Sequence, residues 1–522
     1  MTRSTRIPSW LTLCGVLMLP LALVPQPAAA AEIERCDQVR LYRDLNGDGF
    51  RDAVVGDPYA TVSGQAEAGT VTILFGDADG RIGEGGVRRT LTQADLGETP
   101  EAGDHFGWAV ELNRTESGGC FGILIGSPGE DVNGQADAGM AHMLTLAPVF
   151  EDRPDEDWKV NFDQGETGGT VEAGDEFGYS LAALGGSNED PVRFAVGAPG
   201  ENDDSGVVNI TNSSDLTLDG VQLRQGSGGL PGTPQSGDRF GHAIEFVLAQ
   251  MGALPVDEEA APLMISAPGD KVSGHAGAGS VLTTWVSPNT ALLGPSRLLT
   301  QDTAGIPGKA EAGDAFGFSL AHNTRNALPV ADQALIAIGS PGEDVGSAKD
   351  AGSVTVLKNS GIKLVNRLTF TQNSAGIAGT VEAGDRFGAS LGFRDRRTMI
   401  IGVPGEDVGT VVDAGSAQIL RVGKSNISAP YPSLTENSPG TPGVVQTGSR
   451  FGSTVTGMPA TDVYHLHNTP VYGEAVFAVS SPFQGGGSVY VVSDDPAIAP
   501  RSWKPGIGGI SGTGVRFGQS VG

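Results

Sequence analysis

A Phe-Gly pair recurs seven times along the chain, at Phe106-Gly107, Phe177-Gly178, Phe240-Gly241, Phe316-Gly317, Phe387-Gly388, Phe451-Gly452 and Phe517-Gly518, with successive copies 63 to 76 residues apart. A period of that length with short apolar runs between glycines suits one four-stranded blade with generous loops. The unit that begins at Phe387 is the plainest. Residues 387–391 (FGASL) open it, and Thr398–Val403 (TMIIGV) follows as a near-continuous apolar run, the pattern of a strand covered on both faces. Residues 415–420 (GSAQIL) make a third strand, and a fourth is expected near residues 433–435, by analogy with 367–372 (RLTFTQ) one unit earlier. Pro-Gly dipeptides at Pro128, Pro199, Pro268, Pro341 and Pro404 mark turns, because proline presets φ and glycine permits positive φ.

Such a unit bares apolar surface on both sheet faces and must stack on its neighbours. The chain ends choose between an open stack and a closed ring. The first unit has a second strand at 53–56 (AVVG) and a third at 69–74 (GTVTIL), but no Phe-Gly strand ahead of them. Residues 515–522 (VRFGQSVG) are a Phe-Gly strand with no blade after them. The surplus at one end supplies the lack at the other, so the expected fold is an all-β, seven-bladed β-propeller of four-stranded antiparallel blades, closed by the C-terminal strand completing the first blade.

Residues 1–31 read as a signal peptide. Arg3 and Arg6 precede an apolar run over 10–24, and the small residues 28–31 fit a cleavage site. The propeller is then assigned to 32–522, and a secreted, extracellular, monomeric protein without a membrane span is expected. The formal net charge of −28 becomes more negative once Arg3 and Arg6 are removed, which argues against nucleic acid and anionic lipid as partners. With Cys14 in the leader, Cys36 and Cys120 remain, and an oxidising compartment makes a disulfide between them an expectation, with two separate buried thiols as the alternative.

The recurrent Phe-Gly pairs, together with Gly197-Ala198-Pro199 and the near matches Gly126-Ser127-Pro128, Gly339-Ser340-Pro341, Gly402-Val403-Pro404 and Ser266-Ala267-Pro268, resemble the FG-GAP repeat family. That family includes the N-terminal β-propeller of integrin α-chains and the propeller of glycosylphosphatidylinositol-specific phospholipase D. The resemblance runs from about residue 36 to the end. It implies a Ca2+ site in residues 44–52 (DLNGDGFRD), where Asp44, Asn46, Asp48 and Asp52 would give side-chain oxygens, Phe50 its carbonyl, and Gly49 the bend. The loop is not an EF-hand, because its twelfth position is Val55 and a β-like segment follows. Integrin cation loops lie in later blades, whereas here the first unit alone keeps the full pattern, so one site is expected rather than several.

Further acidic residues recur without that spacing. Asp104, Asp175, Asp238, Asp314 and Asp385 precede the Phe-Gly pairs, and Glu130, Asp131, Glu343, Asp344, Glu406 and Asp407 follow the Pro-Gly turns. Asx-type turns are the expected use of most of them, with weak cation binding as the alternative. Two stretches, 388–392 (GASLG) and 518–522 (GQSVG), match the G-x-S-x-G elbow of serine hydrolases. Ser180 and Ser319 stand at the same repeat position, so the match follows from the repeated strand and no catalytic residue is assigned. His465 and His467 are the one close histidine pair and carry no zinc-protease spacing. The expected function is a calcium-binding, integrin-like adhesion scaffold for an extracellular protein or glycan. An extracellular esterase or phospholipase-like hydrolase is the alternative.

Overall fold

The computed structural model describes residues 43–46, 50–77, 81–83, 88–114, 121–146, 157–184, 193–212, 220–247, 261–286, 293–323, 334–359, 364–423, 426–458, 476–493, 495, 498–507, 510 and 514–522. Their strands fall into seven four-stranded antiparallel sheets, each hydrogen-bonded in simple meander order, which makes the chain a seven-bladed β-propeller. Blade 2 is representative, with Ala109–Arg114, Phe121–Ser127, Met140–Thr145 and Trp158–Phe162 running from the inner to the outer strand. Blade 1 is the exception in chain order, since its inner strand is Ser520–Val521 and its next is Ala53–Asp57. The joint extends beyond the strand pairing. Val54 and Gly522 exchange N–H···O bonds of 3.2 and 2.9 Å, and the Gly518 N–H donates to the Gly56 carbonyl at 2.9 Å. Asp57 adds a side-chain clasp by accepting the backbone N–H groups of Val515 and Arg516 at 3.0 and 2.9 Å.

The second strands are buried from end to end, as in Ala53–Asp57, Arg193–Ala198, Ala334–Ser340, Thr398–Val403 and Val476–Ser480. A strand sandwiched between neighbouring blades faces no solvent, so its sequence shows no alternation. The apolar core accordingly divides into seven clusters, each spanning two adjacent blades. One joins Val54, Val71 and Ile73 of blade 1 to Leu112, Ile123 and Ile125 of blade 2. Another joins Val476, Ala478 and Val489 of blade 7 to Ala53, Val55 and Leu74 of blade 1. Each Phe-Gly phenylalanine sits in one of these seams, from Phe106 at 0% exposure to Phe517 at 2%.

The Phe-Gly pairs do not themselves lie in strands, contrary to the sequence expectation for 387–391. In blade 6 the inner strand is Ser390–Phe393, because Gly388 has φ +91° and turns the chain before the ladder begins. The second strand falls on Thr398–Val403 as expected, and the third on Ser416–Val422. The fourth differs: its ladder is Ile427–Ser428, and the expected segment contributes a single bridge between Ala417 and Leu434. Among the described residues no helix is long and apolar enough to cross a membrane.

If Phe517 plugs the closing seam, Phe517→Ala should cost about 3–5 kcal/mol, and removal of residues 515–522 should cost more and lower the melting temperature by on the order of 10 °C. Scanning calorimetry of the two variants checks this, and unchanged melting would contradict closure.

Candidate functional site

Strand polarity gives the ring two distinct faces. The Phe-Gly turns and the turns between second and third strands lie at one end of the blades, and the segment ahead of Ala53–Asp57 lies at the other. The candidate calcium loop occupies this second end. Its base is tied shut, because the Asp52 N–H donates to the Arg43 carbonyl at 2.7 Å. Asp52 is fully buried, and its carboxylate accepts the Leu45 N–H at 2.7 Å and the Gly76 N–H at 2.9 Å. Asp44 is 1% exposed, and Leu45, also 1% exposed, is anchored in the seam between blades 1 and 2. Asn46 and Phe50 are half-buried on the same loop, while Asp48 and Gly49 lie outside the described residues. The structure thus brings Asp44, Asn46, Phe50 and Asp52 onto one closed loop. Two buried carboxylates on one loop are oxygen donors of the kind that suits a hard cation. Cys36 and Cys120, the expected disulfide, lie outside the described residues, as do His465 and His467.

The aspartates ahead of the Phe-Gly pairs are turn residues. The Asp104 carboxylate accepts the Glu101 N–H at 2.5 Å and its carbonyl accepts the Gly129 N–H at 3.2 Å. The same double bond recurs at Asp175, Asp238, Asp314 and Asp385. Of the acids after the Pro-Gly turns, Asp131, Asp344 and Asp407 accept the backbone N–H groups of Asp137, Asp350 and Asp413 within their own turns, and the acid directly after each glycine works between blades. A glutamine at the end of each preceding outer strand donates its side-chain N–H across the seam, from Gln93 to Glu130, Gln164 to Glu201, Gln225 to Asp270, Gln301 to Glu343 and Gln372 to Glu406. This clasp was not anticipated from the sequence, although its signal is there, since a Gln stands 13 to 15 residues ahead of each of the five Phe residues concerned. Burial pushes the Glu130 carboxyl up to about 8, and Asp104 beside it adds to the rise. Burial likewise lifts Glu343 and Glu406 to about 7, again with the neighbouring Asp contributing. The ligand oxygens of Glu172, Asp175 and Glu201 lie within 4.8 Å of one another. Glu201 there already accepts hydrogen bonds from Gln164 and Asn202 and sits 3.7 Å from Arg224, so protein donors answer its charge.

Two further groups line the axis. Inside the ring, burial raises the Glu111 carboxyl to about 8 and Glu245 adds to it, while Glu245 is hydrogen-bonded to His322. At the Phe-Gly end, the residues that follow the Phe-Gly pairs stack into an arc, with ring centroids 5.3 Å apart for Trp108 and Tyr179, 5.3 Å for Tyr179 and His242, and 4.9 Å for His242 and Phe318. Burial lowers the His242 imidazole to about 4, so it stacks as a neutral ring. The G-x-S-x-G serines are structural. Ser390 donates its hydroxyl to the Gly452 carbonyl of the next blade at 2.8 Å, and Ser520, Ser180 and Ser319 make the same bond to Gly107, Gly241 and Gly388.

The raised carboxyls set a sign for pH. Glu130, Glu343 and Glu406 hold protons in the folded state that they release when unfolded, where 4.5 is the ordinary value. Their contribution to stability is therefore full below about pH 4.5 and is lost as pH rises through 7 to 8. In calcium-free buffer the melting temperature should fall between pH 5 and pH 8, and the triple Gln variant at these positions should flatten that slope; an unchanged slope would refute the assignment.

An FG-GAP repeat model matches residues 38–74, which hold the candidate calcium loop and the first two strands of the N-terminal unit. Over 191 residues the chain is 25% identical to a phosphatidylinositol-glycan-specific phospholipase D of Dictyostelium discoideum, a match that spans 35% of this chain and 20% of that protein. Among solved structures, a periplasmic gluconolactonase of Pseudomonas aeruginosa superposes with a TM-score of 0.42 at 11% identity, over 89% of this chain and 98% of that one. An acylaminoacyl peptidase of Pyrococcus horikoshii reaches 0.32 at 7% identity, over 76% of this chain and 46% of that one. Similarity of that degree does not carry function across. The chain is a seven-bladed β-propeller whose residues 38–74 match the FG-GAP repeat.

Proposed function

We propose that the chain is an exported, calcium-binding propeller that serves as a rigid scaffold for adhesion to an extracellular protein or glycan. The supporting observation is the Asp44 to Asp52 loop, whose two buried carboxylates are held on a segment pinned to the core by Leu45 and closed by the Asp52 to Arg43 bond. Ca2+ is the hard cation that such an oxygen set would take. Asp44, Asn46, Asp48 and Asp52 would hold it through side chains and Phe50 through its carbonyl. The apolar run over 10–24 and the small residues at 28–31 support export. A ring braced at every seam changes shape little, which suits recognition by preformed loops. The phospholipase D relative supports the shared repeat, and its activity is not transferred because the match spans a fifth of its length.

Calorimetric titration of EDTA-treated protein with CaCl2 tests the metal. One site is expected, with stabilisation of about 2.7 kcal/mol at a free concentration one hundred times Kd. Asp44→Asn and Asp48→Ala should each abolish the heat without unfolding the ring, and retained calcium binding in both would reject the loop.

A further inference from the structure

We infer that the axial mouth at the Phe-Gly end is a binding site for an acidic sugar, its carboxylate held by Arg386, Arg450 and Arg516 and its ring face by the exposed part of Phe483. The inference rests on the scaffold reading and names the ligand class and the face that such a scaffold would use.

The first observation is backbone strain repeated by position. The residue immediately ahead of the Phe of each pair is His105, Glu176, Arg239, Ala315, Arg386, Arg450 or Arg516. The first six have φ between +53° and +59°. An L-residue there costs about 1–2 kcal/mol that glycine would avoid. None of the seven is glycine in a chain that has 79 glycines, although six of them hold that backbone conformation.

The second observation is which side chains are presented. Four of the seven are arginine in a protein with 61 acidic and 33 basic residues, and three of these fall on consecutive blades, at Arg386, Arg450 and Arg516. Arg239 is neutralised by Glu176 at 2.5 Å and Asp204 at 3.0 Å. Among the described residues no such ion pair is made by Arg386 or Arg450, both of which are exposed. Arg516 lies near Asp57, whose carboxylate is already engaged by the N–H groups of Val515 and Arg516.

The third observation is the aromatic setting. Phe483 is a large apolar side chain left 41% exposed, and the guanidinium carbons of Arg450 and Arg516 lie 5.2 and 4.8 Å from its ring centroid. Arg516 also stacks 3.9 Å from the Tyr59 ring. Stacking of this kind fixes guanidinium planes and leaves their N–H edges free to fork onto a planar carboxylate. The exposed part of Phe483 beside those N–H edges matches a pyranose that bears a carboxylate, in which the apolar ring face and the charge are adjacent. The overall negative charge repels anions at a distance, so this recognition is short-range and weakens as salt rises.

The test is calorimetric titration of the full chain, in saturating CaCl2, with a hyaluronan hexasaccharide, a neutral chitin hexasaccharide and a hexaglutamate peptide. Hyaluronan heat is expected, at least tenfold weaker in R386Q/R450Q and in F483L, and unchanged in R421Q, an exposed arginine on the third strand of blade 6. No hyaluronan heat, or equal affinity in R386Q/R450Q, would overturn the site. Hexaglutamate binding with the same arginine dependence would overturn the sugar assignment in favour of an acidic peptide. Calcium heat recorded on the same samples separates the two readings: calcium binding without hyaluronan binding defeats this site alone, and hyaluronan binding without calcium binding defeats the metal reading alone.

Discussion

The fold depends on how closely two neighbouring blades can approach at each Phe-Gly turn. Phe106 is fully buried between blades 1 and 2, and burial of one such ring contributes about 1.5–3 kcal/mol. The glycine after it is what lets the ring get there. Gly107 has φ +90°, and a β-carbon on the facing Gly56 would collide with the Gly107 carbonyl. The same approach brings the Gly178, Gly241, Gly388 and Gly452 carbonyls against Gly126, Gly197, Gly339 and Gly402. Backbone thus packs on backbone around the axis while phenylalanine fills the seam outside it. With a seam at every junction, including the one from blade 7 to blade 1, no sheet is left with an unpacked face.

Polar groups complete the seams in a way that ties structure to acidity. Each Gln-to-acid clasp crosses from one outer strand to the next blade's turn, and each acid so placed is buried or half-buried beside an aspartate that is itself committed to a turn. Two carboxyls in one apolar seam resist ionising together, and it is desolvation that dominates the shift. The acids that dominate the composition are therefore divided in use. Some brace the ring as partly protonated clasps, and others, at Asp44 and Asp52, are buried together on the opposite face.

Blade number, strand order and the exchange of the terminal strand were legible because they follow from two periodicities, the Phe-Gly spacing and the continuous apolar runs such as Thr398–Val403. Strand limits were less so. The Phe-Gly residues read as strand by their apolar character, yet glycine's positive φ at Gly388 delays the ladder to Ser390. The blade 6 outer strand is set by a tight hairpin that pairs Val422 with Ile427, ahead of the segment expected from the repeat. The Asp44 to Asp52 loop was legible as a motif, and the structure adds that Asp52 also closes the loop through Leu45 and Gly76. The inter-blade clasps were hidden because each joins residues 34 to 45 positions apart. The aromatic and arginine groups at the axis were hidden for a different reason: their repeat positions are fixed, but Trp108, Tyr179, His242 and Phe318 share shape rather than identity.

Amide hydrogen exchange at the junction of the chain ends tests the closed ring most directly. The N–H groups of Val54, Gly518 and Gly522 are bonded across that junction to Gly522, Gly56 and Val54. They should exchange as slowly as amides in the middle of blade 4, such as Leu263 or Leu282. Exchange at the rate of an unstructured peptide, with the blade 4 amides still protected, would contradict the closure on which the rest of the structure depends.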